Sequence, residues 1–302
     1  MANESNLVSA IIPTYNRSHL LRRSISSVLN QTHKSIECIV VDDCSTDDTE
    51  QLISSMSDDR IRYLRMPINS GACAARNEGI LAAKGKYIAF NDSDDVWKAN
   101  KIETQLNAME SSGADICFSA MERHSLSGSI DIFPDIQTYN QNEFIAFELI
   151  LAQSLAGTPS IVAKKEVFES CLFDTEMKCF QDWEWLINAS RNASVYYISE
   201  PLVELYLQKD SITIRDFTNQ HDGYLRILNK YKTEIAAHPE AHAELLEALA
   251  FFAALTRNET SEHLYQAFKL NHNPKTFVKM LFAKMGMLEG LYSRKMNKSS
   301  RH

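Results

Sequence analysis

Within the first hundred residues, short apolar runs alternate with helix-patterned segments, and several of the runs stop abruptly at polar or acidic residues. Leu7 to Ile12 ends at Pro13, Ile36 to Val41 at Asp42 and Asp43, and Tyr87 to Phe90 passes through Asn91 into Asp92, Asp94 and Asp95. Between the first two, Leu20, Leu21, Ile25, Val28 and Leu29 fall on one helical face. A second helix is expected around Thr49 to Met56, capped by Ser45 or Asp47, and a third from Ala72 to about Ala83, closed by a turn at Gly85. Arg60 to Arg65 reads as a more polar strand near an edge. Strand–helix alternation of this kind gives an α/β fold, a mostly parallel sheet with helices on both faces. Parallel strands bring their carboxyl ends to one rim, and open α/β sheets bind ligands there.

Concentrating Asp92, Asp94 and Asp95 at that rim is unfavourable unless a cation neutralises them, and hard divalent ions take oxygen ligands. The cluster points to a metal-dependent site for a phosphorylated substrate. The alternative is an Asp-rich turn capping a helix that starts near Lys98. No GxGxxG and no GxxxxGK[ST] is present, so neither a dinucleotide loop nor a P-loop is supported, and phosphate must be held mainly through a metal.

With 302 residues, 44% of them hydrophobic and 23% charged, the chain has the composition of an ordinary soluble protein. No apolar run approaches the roughly 20 residues that span a bilayer. Met-Ala-Asn-Glu-Ser-Asn at the start lacks the basic and apolar regions of a signal peptide. Six cysteines show neither a CxxC pair nor zinc spacing, so a reduced, cytoplasmic protein is expected. The net charge of −8 is uneven: from Lys275 onward seven Lys or Arg face one acid, leaving −14 on the rest. An acidic body argues against nucleic acid as a partner.

After Ala114 the regularity loosens. Ala114 to Ala120 reads as a strand, residues 123 to 140 as irregular, and Asn142 to Leu151 as a helix. Gly157-Thr158-Pro159 is a turn before a short strand, Ser160 to Ala163. Gln181 to Arg191 is helical, with strands near Val195 to Ile198 and Val203 to Leu207, and from Phe217 onward the pattern is almost entirely helical. The expected division is one domain over residues 1–215, with halves 1–121 and 122–215, and a helical extension over 216–302.

Four blocks in order carry a resemblance: Val8-Ser9-Ala10-Ile11-Ile12-Pro13-Thr14-Tyr15-Asn16-Arg17, Val40-Val41-Asp42-Asp43-Cys44-Ser45-Thr46-Asp47, Ala75-Arg76-Asn77-Glu78-Gly79 and Asp92-Ser93-Asp94-Asp95. Together they resemble the signatures of family 2 glycosyltransferases over roughly residues 7 to 207. The resemblance implies the GT-A fold, a nucleotide-sugar-binding half followed by an acceptor half, with UDP-sugar as donor and a hydroxyl of a glycan or lipid-linked sugar as acceptor. It implies that Pro13 and Tyr15 line the uridine pocket, that Asp43 bonds the base edge, and that Arg76 lies near the donor. Asp92-Ser93-Asp94 matches the DxD element: Asp94 as the direct Mn²⁺ or Mg²⁺ ligand, Asp92 facing the ribose or a metal-bound water, Asp95 supporting the shell. For Asp43 the competing reading is a helix cap, and for Arg76 a surface salt bridge.

An inverting hexosyl-type transferase also needs a carboxylate to take the acceptor proton. The family places it in a Glu-Asp pair before an aromatic helix, and Gln181-Asp182-Trp183-Glu184-Trp185 occupies that place. Asp182 is the implied base, or else an N-cap. Glu184 would face away from it on a helix. Gln181 departs from the family's Glu, and losing one negative neighbour lowers the Asp182 pKa. The family's Arg and His after the last strand are missing from Leu205-Tyr206-Leu207-Gln208-Lys209-Asp210-Ser211-Ile212-Thr213, where Lys209 can offer only a point charge. These departures leave open a non-catalytic nucleotide-sugar-binding protein. A sugar-phosphate nucleotidyltransferase would want a Gly-rich basic loop where Pro13-Thr14-Tyr15-Asn16-Arg17 stands.

From Pro274 to Tyr292 an amphipathic helix is expected. Phe277, Val278, Leu281, Met285, Leu288 and Tyr292 share a broad face, Lys275 and Lys279 lie opposite, and Lys284 interrupts the apolar side. Peripheral contact with the cytoplasmic membrane suits that pattern, and so do packing on the catalytic domain and a dimer contact. A role in surface polysaccharide biosynthesis is what the family resemblance implies.

Overall fold

The computed structural model of the chain describes residues 6–134, 142–208, 217–256, 260–285, 287–288 and 292. The apolar runs form strands buried on both faces. In β1 (Val8–Thr14), Val8, Ala10 and Ile12 join one hydrophobic cluster and Ile11 the other. In β2 (Ile36–Asp42), Cys38 and Val40 alternate in the same way with Ile39 and Val41. This period of two is what a sheet covered on both sides requires. The helix α1 (Ser18–Leu29) buries Leu21, Ile25 and Val28 against one face, and Asp47 ties its start to α2 (Thr49–Ser54). Neither Ser45 nor Asp47 holds the cap position of α2, which is Asp48 without a side-chain cap bond; Asp47, one residue earlier, accepts from the Thr49 N–H at 3.2 Å and the Ser18 N–H at 2.9 Å. The helix α3 (Ala72–Ala82) packs on the other face, so closely that a Cβ on Gly79 would sit 2.5 Å from Ile11.

The next elements are β3 (Ile61–Arg65), β4 (Tyr87–Phe90), β5 (Val96–Trp97), α4 (Lys101–Ser112), β6 (Ile116–His124), β7 (Ile130–Phe133), β8 (Glu143–Phe144) and α5 (Phe147–Ala152). They are followed by β9 (Ile161–Lys164), α6 (Lys165–Ser170), α7 (Gln181–Ala189) and β10 (Val195–Tyr206). The sheet order is β3-β2-β1-β4-β9-β6-β10-β5, with β7 on β6 and β8 on β10. Pairing is parallel across β3-β2-β1-β4, and β3 is the edge expected of a polar strand. Beyond β4 the sheet is mixed, because β9 enters antiparallel between β4 and β6. β1 runs on through Pro13, which pairs with Val41 but lies beyond the last residue paired with β4, so its missing N–H breaks no bond on that side.

Three local expectations differ from the structure. The stretch expected to be irregular contains the β6–β7 hairpin, turning at Gly128 with φ 86°. The helix expected from Asn142 is the short strand β8 followed by α5. The two strands expected at Val195 and Val203 are one strand, β10, whose register against β6 shifts on either side of Pro201.

The chain closes with α8 (Phe217–Lys230), α9 (Lys232–Ala237), α10 (Pro239–Leu255), α11 (Ser261–Asn271) and α12 (Pro274–Lys284). Ile227, Tyr231, Ile235 and Leu245 belong to the large cluster that also holds Trp183 and Trp185, so α8, α9 and α10 are packed into the main core. The last two helices instead pack on α10 in a separate small cluster around Ala250, Leu264 and Met280. None of the six cysteines is joined in a disulfide, and burial pushes the Cys38 and Cys117 thiols up to about 12, so both behave as small hydrophobes. No described helix is long and apolar enough to cross a membrane.

One core group is unusual. Lys101, fully buried at the start of α4, donates from Nζ to Gln105 Oε1 at 2.7 Å and sits 4.3 Å from the Trp97 ring centroid. Burial pulls its ammonium down to about 7. The unfolded chain keeps that proton up to the ordinary lysine range near 10.5, so between these values it binds more protons than the folded chain. Folded stability relative to Lys101→Met is therefore expected to rise with pH, at up to ~1.4 kcal/mol per unit from about 7 upward. Thermal denaturation of both proteins at pH 6.5, 8 and 9.5 checks it. A pH-independent difference between them would show that Lys101 keeps its charge when folded.

Candidate active site

The carboxyl ends of β1, β2 and β4 open into a cleft of about 600 Å³. Its walls bring together Pro13, Tyr15, Asp43, Arg76, Asp92, Asp94, Asp95 and Asp182, every site residue singled out from the sequence. On the β1 side Tyr15 is 46% exposed, leaving a ring face free to stack on a planar ligand. Between it and Pro13, the hydroxyl of buried Thr14 has no partner among the described residues. Asp43 is buried, and its two oxygens accept the Ser70 and Gly71 N–H groups at 2.7 Å each. Those bonds hold the loop before α3, and each oxygen keeps a lone pair. The helix-side contact is made by its neighbour Asp42, which accepts from the Ser45 N–H at 2.8 Å.

Around the β4 end the three aspartates diverge. Asp92 and Asp94 face the cleft partly exposed, with Asp94 3.9 Å from the Arg17 guanidinium. Asp95 turns back and is buried, accepting the Tyr206 N–H at 3.0 Å. Burial and the charges of Asp92 and Asp94 push its carboxyl well above the ordinary range. Backbone anchors fix the turn: Ser24 Oγ donates to the Asp92 carbonyl at 2.8 Å and Arg23 to the Asp94 carbonyl at 2.6 Å. Arg23 also lies 4.1 Å from the centre of the Tyr206 ring, which stacks on His124.

Arg76 spans the floor. This nearly buried guanidinium donates to Asp92 Oδ1 at 2.7 Å and to Gln181 Oε1 at 2.9 Å, while its buried Nε has no partner among the described residues. The surface salt bridge considered for it is thus an interior link between two walls. Gln181, which stands where the family has Glu, receives one arm of that link and passes its own amide to the Met177 carbonyl at 3.0 Å. Neighbouring Asn77 clips the segment before α7 by exchanging two bonds with the Phe173 backbone.

Asp182 sits on the opposite wall. Its Oδ1 accepts the Trp183 N–H at 2.8 Å and its Oδ2 the Thr158 N–H at 3.3 Å, which joins the Gly157-Thr158-Pro159 turn to α7. Burial raises its pKa, the Trp183 amide and Arg76 oppose that, and Asp92 adds to it. Just before it, Phe180 holds a left-handed backbone (φ 56°), an uncommon setting for an aromatic residue. Glu184 points away into the core, as its helical offset requires, pairing with Lys230 at 2.7 Å and with the Tyr231 hydroxyl. It fastens α8 to the domain and is absent from the cleft.

Among the cleft residues that sequence reasoning did not assign are Thr14, Arg17, Gln181 and Tyr206, with Arg23 bracing the turn beside them. Thr14 and Arg17 lie inside the first motif block, and their neighbours' roles pointed to them. Arg23 and Tyr206 meet only through the fold. Leu205 and Leu207 line the cleft, while Lys209 lies outside the described residues.

Among the described residues no three His, Cys, Asp or Glu side chains converge as a ready metal cage. Asp92 and Asp94 nonetheless offer two cleft-facing carboxylates, which fits a divalent cation completed by phosphate oxygens rather than by protein alone.

Comparison with known proteins is consistent with this geometry. The description Glycosyl transferase family 2 matches residues 9–161. WcaA of Escherichia coli (strain K12), assigned to colanic acid biosynthesis as a glycosyl transferase, is 31% identical over 237 residues, 75% of this chain and 81% of that protein. The Escherichia coli UDP-Glc:alpha-D-GlcNAc-diphosphoundecaprenol beta-1,3-glucosyltransferase WfgD is 41% identical over 138 residues, 45% of this chain and 54% of that protein. The crystal structure of S. aureus TarS 1-349 in complex with UDP-GlcNAc superposes with a TM-score of 0.70 over 98% of this chain and 91% of that one, at 18% identity, a likeness of fold. The chain belongs to glycosyl transferase family 2 and has the GT-A fold of a glycosyltransferase.

Proposed function

We propose that this chain is an inverting transferase that moves a sugar from a UDP-sugar to a hydroxyl of a glycan or lipid-linked acceptor, assisted by Mn²⁺ or Mg²⁺. The observation that carries the reading is one cleft in which Asp92 and Asp94 face Asp182, with Arg76 bonded to Asp92 and to the residue beside the base. WfgD is named for transfer from UDP-Glc to a diphosphoundecaprenol-linked sugar, and TarS was crystallised with UDP-GlcNAc, which supports the donor and acceptor classes.

In this reading Pro13 and Tyr15 bracket the uracil, and Thr14 Oγ and the spare lone pairs of Asp43 meet its polar edge. Asp94 and the free oxygen of Asp92 would hold the cation, with Asp95 supporting their turn through Tyr206. A bound divalent ion supplies Lewis-acid neutralisation of the charge gathering on the departing diphosphate. Arg76 fixes Asp92. Asp182 takes the proton from the acceptor hydroxyl as its oxygen attacks the anomeric carbon in line, and the sugar–phosphate bond breaks. The division at 215/216 belongs to the same proposal, with acceptor contacts in the later half. So does action at the cytoplasmic face of a membrane, where a lipid-linked acceptor would be met.

Calorimetric titration of nucleotides and UDP-sugars, with Mn²⁺ and again with chelator, tests the donor site. Metal-dependent binding of UDP and one UDP-sugar is expected, weakened at least about tenfold by Asp94→Ala through loss of a charged ligand. A folded protein that binds none of them would remove the transferase reading. Gln181 and the missing Arg and His favour a binding-only protein as second reading. Metal-dependent donor binding with neither transfer nor hydrolysis selects it.

A further inference from the structure

The amphipathic pattern at the end of the chain leaves membrane contact, packing on the domain and a dimer contact open for its apolar face. The structure divides that face: Leu288 is buried and Tyr292 packs against the small C-terminal cluster, while Phe277, Val278, Leu281 and Met285 stay outward. In α12 the packed residues are Thr276 and Met280, against a cluster that includes Ala250, Ala254 and Leu264. Glu247 on α10 locks this orientation by accepting from the Thr276 hydroxyl and the Lys279 ammonium. On the other side Phe277, Val278, Leu281 and Met285 are 41%, 48%, 43% and 60% exposed. At about 100° per residue these four fall within an arc of roughly 100°. Exposed Lys284 borders one edge of the arc and exposed Lys275 the other. Phe277 is steadied from beneath by Phe268 of α11, centroids 5.3 Å apart.

Charge says what covers this face. The segment from Lys275 carries +6, including Arg294, Lys295, Lys298 and Arg301 after the helix, while the rest of the chain carries −14. Lys275 and Lys284 border the face, so a two-fold contact between copies would bring like charges together, because an isologous interface opposes a patch to itself. An anionic lipid surface instead attracts this end and repels the acidic body, which orients the molecule as well as holding it. The helix has 11 residues, too few to cross a bilayer, and its apolar arc with lysines at the borders is the form that lies in the interface plane. We propose that the Phe277–Val278–Leu281–Met285 face and its basic flank dock the protein peripherally on an anionic lipid membrane. The docking is independent of the catalytic assignment, since it involves no residue of the cleft. Its apolar footprint is small, so it needs both signals, exposed side chains and anionic headgroups.

The test uses the full chain, without donor or acceptor. Co-sedimentation is measured with phosphatidylcholine vesicles and with vesicles in which phosphatidylglycerol is mixed into phosphatidylcholine. Binding to the mixed vesicles is expected, with salt weakening it, and little to phosphatidylcholine alone. Phe277→Ser with Leu281→Ser should lower partitioning by at least about tenfold, from the apolar area removed, with the fold kept and the melting temperature lowered only by the lost Phe268 contact. Lys275→Glu with Lys284→Glu should lower it through charge while leaving the apolar arc intact. Equal binding to both vesicle types, or full retention by the serine variant, would overturn the proposal. Sedimentation velocity supplies a further decision: a wild-type dimer that dissociates in the serine variant would make this face a self-interface, also overturning it.

Discussion

Asp182→Asn is expected to lower transfer by about 10²–10⁴-fold, the usual contribution of a positioned general base, while UDP-sugar binding stays unchanged. The geometry explains why the loss should be confined to chemistry. Asp182 accepts backbone N–H groups from Trp183 and Thr158. Asparagine keeps the volume and one acceptor oxygen, so it retains the shorter bond to Trp183 and gives up the longer one to Thr158. What disappears is the second oxygen's ability to hold a proton. In the native protein, burial raises this carboxyl above its ordinary pKa, so kcat/KM should fall as pH drops through a value above the usual aspartate range. The variant should lose that acid limb along with the rate. Glu184→Gln provides the contrast. Its carboxylate pairs with Lys230 and Tyr231 inside the core, so the expected effect is a lower melting temperature with kcat little changed. Steady-state kinetics with melting curves separates the two. A normal kcat in Asp182→Asn would place the base elsewhere.

How far these features were legible in the sequence differs from element to element. β1, β2 and β4 announced themselves because a strand buried on both faces must be a largely apolar run, and because Asp43 and Asp92 each come one residue after such a run. Glu184 was legible too, since helical geometry alone turns it away from Asp182. The antiparallel entry of β9 between β4 and β6 was not, because nothing local to Ile161–Lys164 names its partners. The two strands expected near Val195 and Val203 are one, because β10 absorbs a register shift on either side of Pro201. The bond from Arg76 to Gln181 joins residues 105 positions apart. No periodicity reports such a pairing, although Gln181 stood out as a departure from the family pattern. For α12 the wheel identified an apolar face and a polar one. Which of them packs depended on Glu247, on another helix, holding Thr276 and Lys279 inward.

Arg76→Met should have the second large effect, on binding and turnover together. The guanidinium reaches both walls of the cleft, and methionine fills its space while breaking both bonds. Asp92 is left without its cation and Gln181 Oε1 without its donor. A drop of roughly 1–3 kcal/mol in stability is expected from the orphaned groups, with Asp92 partly relieved because water reaches it. The larger consequence is electrostatic. Arg76 holds the Asp182 pKa down against burial, so without it the acid limb of kcat/KM should move to higher pH. A merely structural loss would lower activity at every pH and leave the limb in place. Arg76→Lys discriminates further: it keeps the charge but cannot fork to two acceptors, so the limb should stay near its native position while turnover falls. The pH profiles of the three proteins therefore decide whether Arg76 acts on the base or only braces the floor. An unshifted limb in Arg76→Met would leave it a structural brace.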